Sequence, residues 1–223
     1  MSATTNELPT LSTDKDKNEG LSPPSLSADD ESKIRSLLSF WFDHGEGLMK
    51  WFVPNPTVDE ECRVKWEPLV LAARQGSSSP LSSWTQTPDG TLALLLLVDQ
   101  LPRNIYRDTP AAFSSDSQGL EIALDAIAKG FDVRVPVEKQ MFFYLPILHQ
   151  ENLLALIACV GLYRGMADRA AEGTDRELHT LLEGAVGEVK KRLGVIHRFG
   201  RYPRRNEALG RTSTPEELEY LKE

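Results

Sequence analysis

Seven consecutive apolar residues, Leu92 to Val98, constrain this chain more than any other stretch. Asp89-Gly90 opens the run, and Asp99-Gln100-Leu101-Pro102-Arg103-Asn104 closes it. A helix apolar on every side has to be surrounded by other elements, so a helix over 91–100 belongs at the centre of the fold. The run is far too short to span a bilayer. Pro102 lacks an N–H and predicts an end or a kink just beyond it. Asp99 is drawn inward by the residues before it and needs a partner, because an unpaired buried carboxylate is costly or becomes neutralised.

The flanking segments have the amphipathic patterns needed to cover such a helix. Ser27 to Glu31 supplies a cap and an acidic first turn, and Ile34, Leu37, Leu38, Trp41 and Phe42 follow at helical spacing. Gly45 and Gly47 predict its end, and Met49, Trp51 and Phe52 an aromatic anchor. A helix is expected over 57–74, with Val64, Leu69 and Val70 inward and Pro68 as a possible kink. Leu81 to Trp84 suggests a short helical turn. Thr109-Pro110 predicts a helix start, with Phe113, Leu120, Leu124 and Ile127 inward and Gly130 as the stop. Further helices are expected from Pro136, closing around Pro146, then over 153–166 and 174–198. A last one is expected from Thr214-Pro215-Glu216-Glu217.

No alternating strand pattern of useful length occurs. The expectation is an all-α fold of seven or eight helices packed as helical hairpins. Residues 1–28 are polar and predict a disordered tail, leaving 29–223 as a single all-helical domain of a 223-residue chain.

A formal net charge of −8 argues against nucleic-acid or anionic-membrane partners, which need a broad basic face. Cys62 and Cys159 lie far apart without metal or disulfide spacing, so a reducing compartment fits. No secretory leader pattern precedes them, and the cytoplasm is the expected location. No metal-ligand spacing, nucleophile elbow, P-loop or dinucleotide fingerprint occurs, so the expectation is a protein that works without a cofactor.

Against that acidic background, five arginines fall between Arg198 and Arg211, interleaved with Phe199, Tyr202 and Pro203. Arg103, four residues after Asp99, supplies a sixth cation. Guanidinium groups grip carboxylates and phosphates through paired hydrogen bonds. The two segments are therefore expected to line one polar pocket, unless acids such as Asp116, Glu138 and Glu151 close the arginines into a structural network. His149, with Glu151 two residues on, is the candidate acid/base.

At this point several motifs are familiar. Phe40-Trp41-Phe42, Asp99-Gln100-Leu101-Pro102-Arg103-Asn104, Tyr144-Leu145-Pro146, Arg198-Phe199-Gly200-Arg201-Tyr202-Pro203-Arg204-Arg205-Asn206 and Leu209-Gly210-Arg211 occur in the order seen in domain-of-unknown-function family 924. The chain resembles that family from about Ile34 to Leu221. The resemblance implies an all-helical fold like tetratricopeptide helix stacks, and no assigned reaction. Relatives usually place a histidine where this chain has Arg192, and another where it has Arg204.

The expected function is a small-molecule enzyme of the isomerase or cyclase type, acting on a carboxylate- or carbonyl-bearing substrate. Asp99, His149 and Glu151 are the expected catalytic residues. Arg103, Asn104, Tyr144, Arg198, Arg201, Arg205 and Asn206 are the expected substrate-binding residues. A hydrolase using His149 and Glu151, and a helical module reading an acidic peptide, are the rivals.

Overall fold

A computed structural model describes residues 26–43, 53–171 and 176–223. Nearly all of the expected tail lies outside those residues, as do Gly45, Gly47, the Met49-Trp51-Phe52 anchor and Thr174. The first helix, α1 (Ala28–Phe42), starts where Ser27 accepts the Asp30 N–H, and it buries Ile34, Leu37, Leu38 and Trp41 as the spacing predicts. Helix α2 (Pro56–Ala73) is capped by the Asn55 side chain and buries Cys62, Trp66, Val70 and Ala73. Val64 is 71% exposed, so the expected inner face is corrected. Trp66 selects the face, because its ring packs 5.5 Å from Phe40 and burying it outweighs burying a valine.

The apolar run forms the centre. Helix α3 (Pro88–Leu95) is capped by Thr87. It passes through one wide i→i+5 turn over Leu96–Gln100 into α4 (Leu101–Ile105). From Leu92 to Val98 no residue is more than 4% exposed.

Of the expected end or kink at Pro102, the end is overturned: by way of the wide turn, the helical run continues past the proline. The carbonyl four residues before it, on Val98, accepts the Ser115 hydroxyl at 2.7 Å. The next carbonyl, on Asp99, accepts Arg103 Nη1 at 3.0 Å. Side-chain donors thus reach the carbonyls beside Pro102, which brings no N–H of its own.

Thr109 does not start a long helix either. Its hydroxyl donates to the Tyr106 carbonyl, and Pro110–Phe113 makes one tight turn before α5 (Asp116–Ala128). Helix α5 turns Gly119, Ala123 and Ala126 inward and leaves Leu124 52% exposed, a second corrected face. Small residues let it lie close: a Cβ on Gly119 would sit 3.6 Å from both Pro146 and Val98 side-chain atoms.

Gly130, at φ +66, ends the residues that follow α5. Helix α6 (Val137–Leu148) runs through Pro146 instead of closing there, and stops at His149. Helix α7 (Leu153–Ala171) extends past Met166 and packs along α8 (Arg176–Phe199). Helix α9 (Pro215–Tyr220) opens with the expected cap, Thr214 and Glu217 bonding reciprocally.

With the 88–105 run counted once, the described residues hold eight helices and no strand, and the fold is all-α. None of these helices is long and apolar enough to cross a membrane.

Candidate active site

The wide turn in the central helix is the local feature that builds the site. Turns of this kind are rare and concentrate at functional positions. This one holds Asp99, 1% exposed, deep in the fold. Helix α6 ends beside it, and His149 Nδ1 lies 2.7 Å from Asp99 Oδ1. Gln100 Nε2 donates to the other carboxylate oxygen.

Arg103 Nη2 is 3.3 Å from Asp99 and 2.9 Å from Asp116. Arg205 Nη1 donates to the second oxygen of Asp116 at 3.0 Å. The Arg205 guanidinium lies 4.7 Å from the Phe113 ring and 5.0 Å from the Tyr202 ring. The Gln150 amide donates to the carbonyls of Pro146 and Asp116, tying the end of α6 to the start of α5. Of the two sequence blocks expected to line one pocket, Arg103 and Arg205 come together here, with Asp116 as the link.

Protonation follows from this packing. Burial opposes charge on Asp99, but Arg103 and His149 prevail and hold its carboxyl at about 2. Burial and the Arg103 charge lower His149 to about 4, against the pull of Asp99. At neutral pH the pair is a carboxylate and a neutral imidazole. An ionised carboxylate only accepts, so the imidazole proton sits on Nδ1 and the Nε2 lone pair is left over. Nε2 has no hydrogen-bond partner among the described residues, and it is not one of the orphan atoms sealed from solvent. The surrounding charges are balanced, Asp99 and Asp116 against Arg103 and Arg205.

The other expected site residues lie elsewhere and are occupied. Glu151 accepts Arg211 through both oxygens, at 2.6 and 2.9 Å, and also the Tyr202 N–H at 2.7 Å. Burial resists its charge, but these donors lower its pKa. Glu151 therefore serves as a clamp and has no free oxygen for acid/base work.

Arg201 grips Glu217 at 2.6 and 2.8 Å. The Asn206 amide donates to Ser213 and Glu217. Arg198 pairs with Glu216 at the surface. Asn104 joins Arg107 on Asp59. The Tyr144 hydroxyl donates to Asp132 at 2.7 Å.

Sequence reasoning weighed Asp116 only as a remote balancing acid, and it missed Gln100 and Gln150. Nothing in their spacing marks them: Gln100 bonds the neighbouring Asp99, as any adjacent pair could, and Gln150 reaches Asp116 across 34 positions. Among the described residues no three His, Cys, Asp or Glu side chains gather as a metal site.

An all-helical protein with a buried aspartate–histidine pair, set where a widened central helix meets the end of another, is the class these features define. The chain belongs to the family described as bacterial protein of unknown function (DUF924), whose model matches residues 37–223. It is similar in structure to the protein of unknown function ATU0120 from Agrobacterium tumefaciens. The TM-score is 0.74 at 29% identity, over 87% of this chain and 99% of that one. No curated protein matches the chain.

Proposed function

We propose that this protein is an enzyme in which His149, oriented by Asp99, takes a proton from a carbonyl- or carboxylate-bearing organic substrate and returns it at another position. The reaction is of the isomerase or cyclase type, and we place it in the cytoplasm. One observation carries the reading: a buried neutral imidazole whose Nδ1–H is fixed on a carboxylate, with Nε2 open. A fixed tautomer and an uncommitted lone pair are what a general base needs, and an imidazole held at about 4 is unprotonated at neutral pH, though a weaker base than a free one. Proton transfer of this kind requires only protein groups.

The test is deuterium exchange. Small 2-keto acids are incubated with the protein in D2O, and loss of the signal from protons next to the carbonyl is followed by NMR. The expected result is catalysed exchange by the wild-type protein that falls by about 100-fold or more in His149→Asn. Exchange no faster than in buffer, with ester or amide probes hydrolysed in a His149-dependent way, would instead favour water activated by Nε2.

A groove of about 600 Å³ at the C-terminal end supports a second reading. Arg204 and Arg211 line it with Leu218 and Leu221, which suits an acidic, partly apolar peptide. In that reading the helices act as a tetratricopeptide-like interaction module. Saturable binding of acidic peptides that is lost in Arg204→Glu would speak for it.

A further inference from the structure

Six arginines stood out in the sequence, and the fold commits four of them. Arg103 donates to two backbone carbonyls and lies against two carboxylates. Arg198, Arg201 and Arg211 hold Glu216, Glu217 and Glu151. Arg204 is exposed on the C-terminal groove. Arg205 differs from all of these, being well buried with most of its N–H donors unused. We propose, resting on the proton-transfer reading, that the open edge of Arg205 grips the carboxylate of a small 2-oxo monocarboxylate whose proton His149 takes.

The Arg205 side chain is 13% exposed. The rings of Phe113 and Tyr202 lie 4.7 and 5.0 Å from its guanidinium, which steadies its plane and keeps water from it on those sides. Nη1 donates to Asp116 at 3.0 Å, whereas Nε and Nη2 have no hydrogen-bond partner among the described residues. Unlike the Nε atoms of Arg74 and Arg211, they are not sealed from solvent. Elsewhere in the molecule the same Nε–Nη2 fork holds a carboxylate. Arg107 grips Asp59 through it with two bonds of 2.7 Å, and Arg201 grips Glu217 at 2.6 and 2.8 Å. In Arg205 that fork is held still and open to a solute, and its planar geometry matches a carboxylate. Burying a charge is costly unless its donors are met, so a cation this far from water favours such a partner.

Two bridges put the fork beside His149, and they end on the residues either side of it. Tyr202, stacked near Arg205, donates its hydroxyl to the Leu148 carbonyl at 2.6 Å. Asp116, which holds Arg205, accepts the Gln150 amide on its backbone carbonyl at 3.3 Å. A third path runs through side chains alone: Asp116 to Arg103 at 2.9 Å, Arg103 to Asp99 at 3.3 Å, and Asp99 to His149 at 2.7 Å. Each contact is local and each is short, so imidazole and guanidinium are parts of one cluster.

One open fork takes one carboxylate. Arg103, the other cation there, has both Nη atoms engaged, so a second carboxylate finds no such grip. In a 2-oxo acid the ketone oxygen lies beside the carboxylate, and the cation that holds the acid also stands near the oxygen where charge develops. Nε2 of His149 takes a proton from the carbon next to the ketone. The C–H electron pair becomes the C=C bond, and the carbonyl pair moves onto oxygen. The histidine then returns the proton at another position, and no oxidant is consumed.

2-Oxobutyrate is the probe, and butanone, which keeps the ketone and lacks the carboxylate, is its neutral counterpart. Each is titrated into the full chain at neutral pH and followed by NMR. Wild type is expected to bind 2-oxobutyrate about tenfold or more tightly than butanone, and Arg205→Lys to lose that difference, since an ammonium has no fork. Lysine keeps the charge that pairs with Asp116, and a melting curve checks that the variant is folded. Should it not fold, the wild-type Arg205 Nε–H resonance decides: it should shift with 2-oxobutyrate and stay in place with butanone. Equal wild-type affinity for the two ligands, no binding of 2-oxobutyrate in the tens of millimolar, or unchanged affinity in Arg205→Lys overturns the assignment.

The exchange assay separates the two readings. Carboxylate-dependent binding through Arg205 without any wild-type exchange leaves the anion site standing and the proton-transfer reading lost. His149-dependent exchange with 2-oxobutyrate affinity indifferent to Arg205 does the reverse.

Discussion

At the scale of single residues, the Asp99–His149 pair makes stability depend on acid. In the unfolded chain His149 titrates at its ordinary value of 6.5, and in the fold at about 4. Between those values the unfolded state binds more protons, so stability falls as pH drops from 6.5 to 4. The gap corresponds to about 3 kcal/mol at its low-pH limit. Asp99 acts in the same direction lower down. Its stabilising charge is complete above 3.8 and is lost as pH falls toward 2. Melting temperatures from pH 7 to pH 4 should therefore decline in wild type and decline less in His149→Asn. Equal slopes would mean that His149 is not held neutral. The pair was only half legible in the sequence. Asp99 stood out because an apolar run carries it inward, but His149 lies 50 positions away, and no local pattern encodes a contact of that range.

At the scale of elements, the central helix depends on a side chain from the next one. Pro102 brings no N–H to this turn, and Ser115, 4% exposed, donates to the Val98 carbonyl. Ser115→Ala should leave that buried acceptor unmet and cost about 1–3 kcal/mol. The change should appear as a lower urea midpoint with an unchanged slope. A midpoint at the wild-type value would show that water reaches the carbonyl and that the wide turn needs no such support. The same dependence explains why the sequence reading ended this helix too early. A proline is a local signal, and the hydroxyl that supports the turn before it comes from 17 residues beyond Val98. Faces were misread where apolar residues competed. Val64 and Leu124 fit an inward stripe by spacing, but Trp66 and the small residues Gly119 and Ala123 packed better and rotated both helices. The helices themselves, their order and the α9 cap were legible, because capping residues and helical periodicity are local.

At the scale of the whole molecule, the arginine block mainly fastens the C-terminal segment onto the helices before it. Arg211 reaches Glu151, just past the end of α6, while Arg201, just past α8, reaches Glu217 in α9. Glu217 is 2% exposed and also accepts the Thr214 N–H. The Arg201 hydrogen bonds come first among the causes that lower it to about 2. Arg201→Met keeps bulk but strands that carboxylate against two remaining donors, Thr214 and Asn206. Breaking one side of a buried pair costs far more than the intact pair contributes, so the melting temperature should fall by several degrees. Arg198→Met removes a pair exposed on both sides and should leave it nearly unchanged, as surface pairs contribute little. Circular-dichroism melts of the two variants decide the matter. A drop confined to Arg201→Met assigns that arginine to fastening the fold and leaves the site chemistry to His149 and its neighbours. Equal melts would free Arg201 from a structural role and set it beside Arg205 as a candidate anion holder.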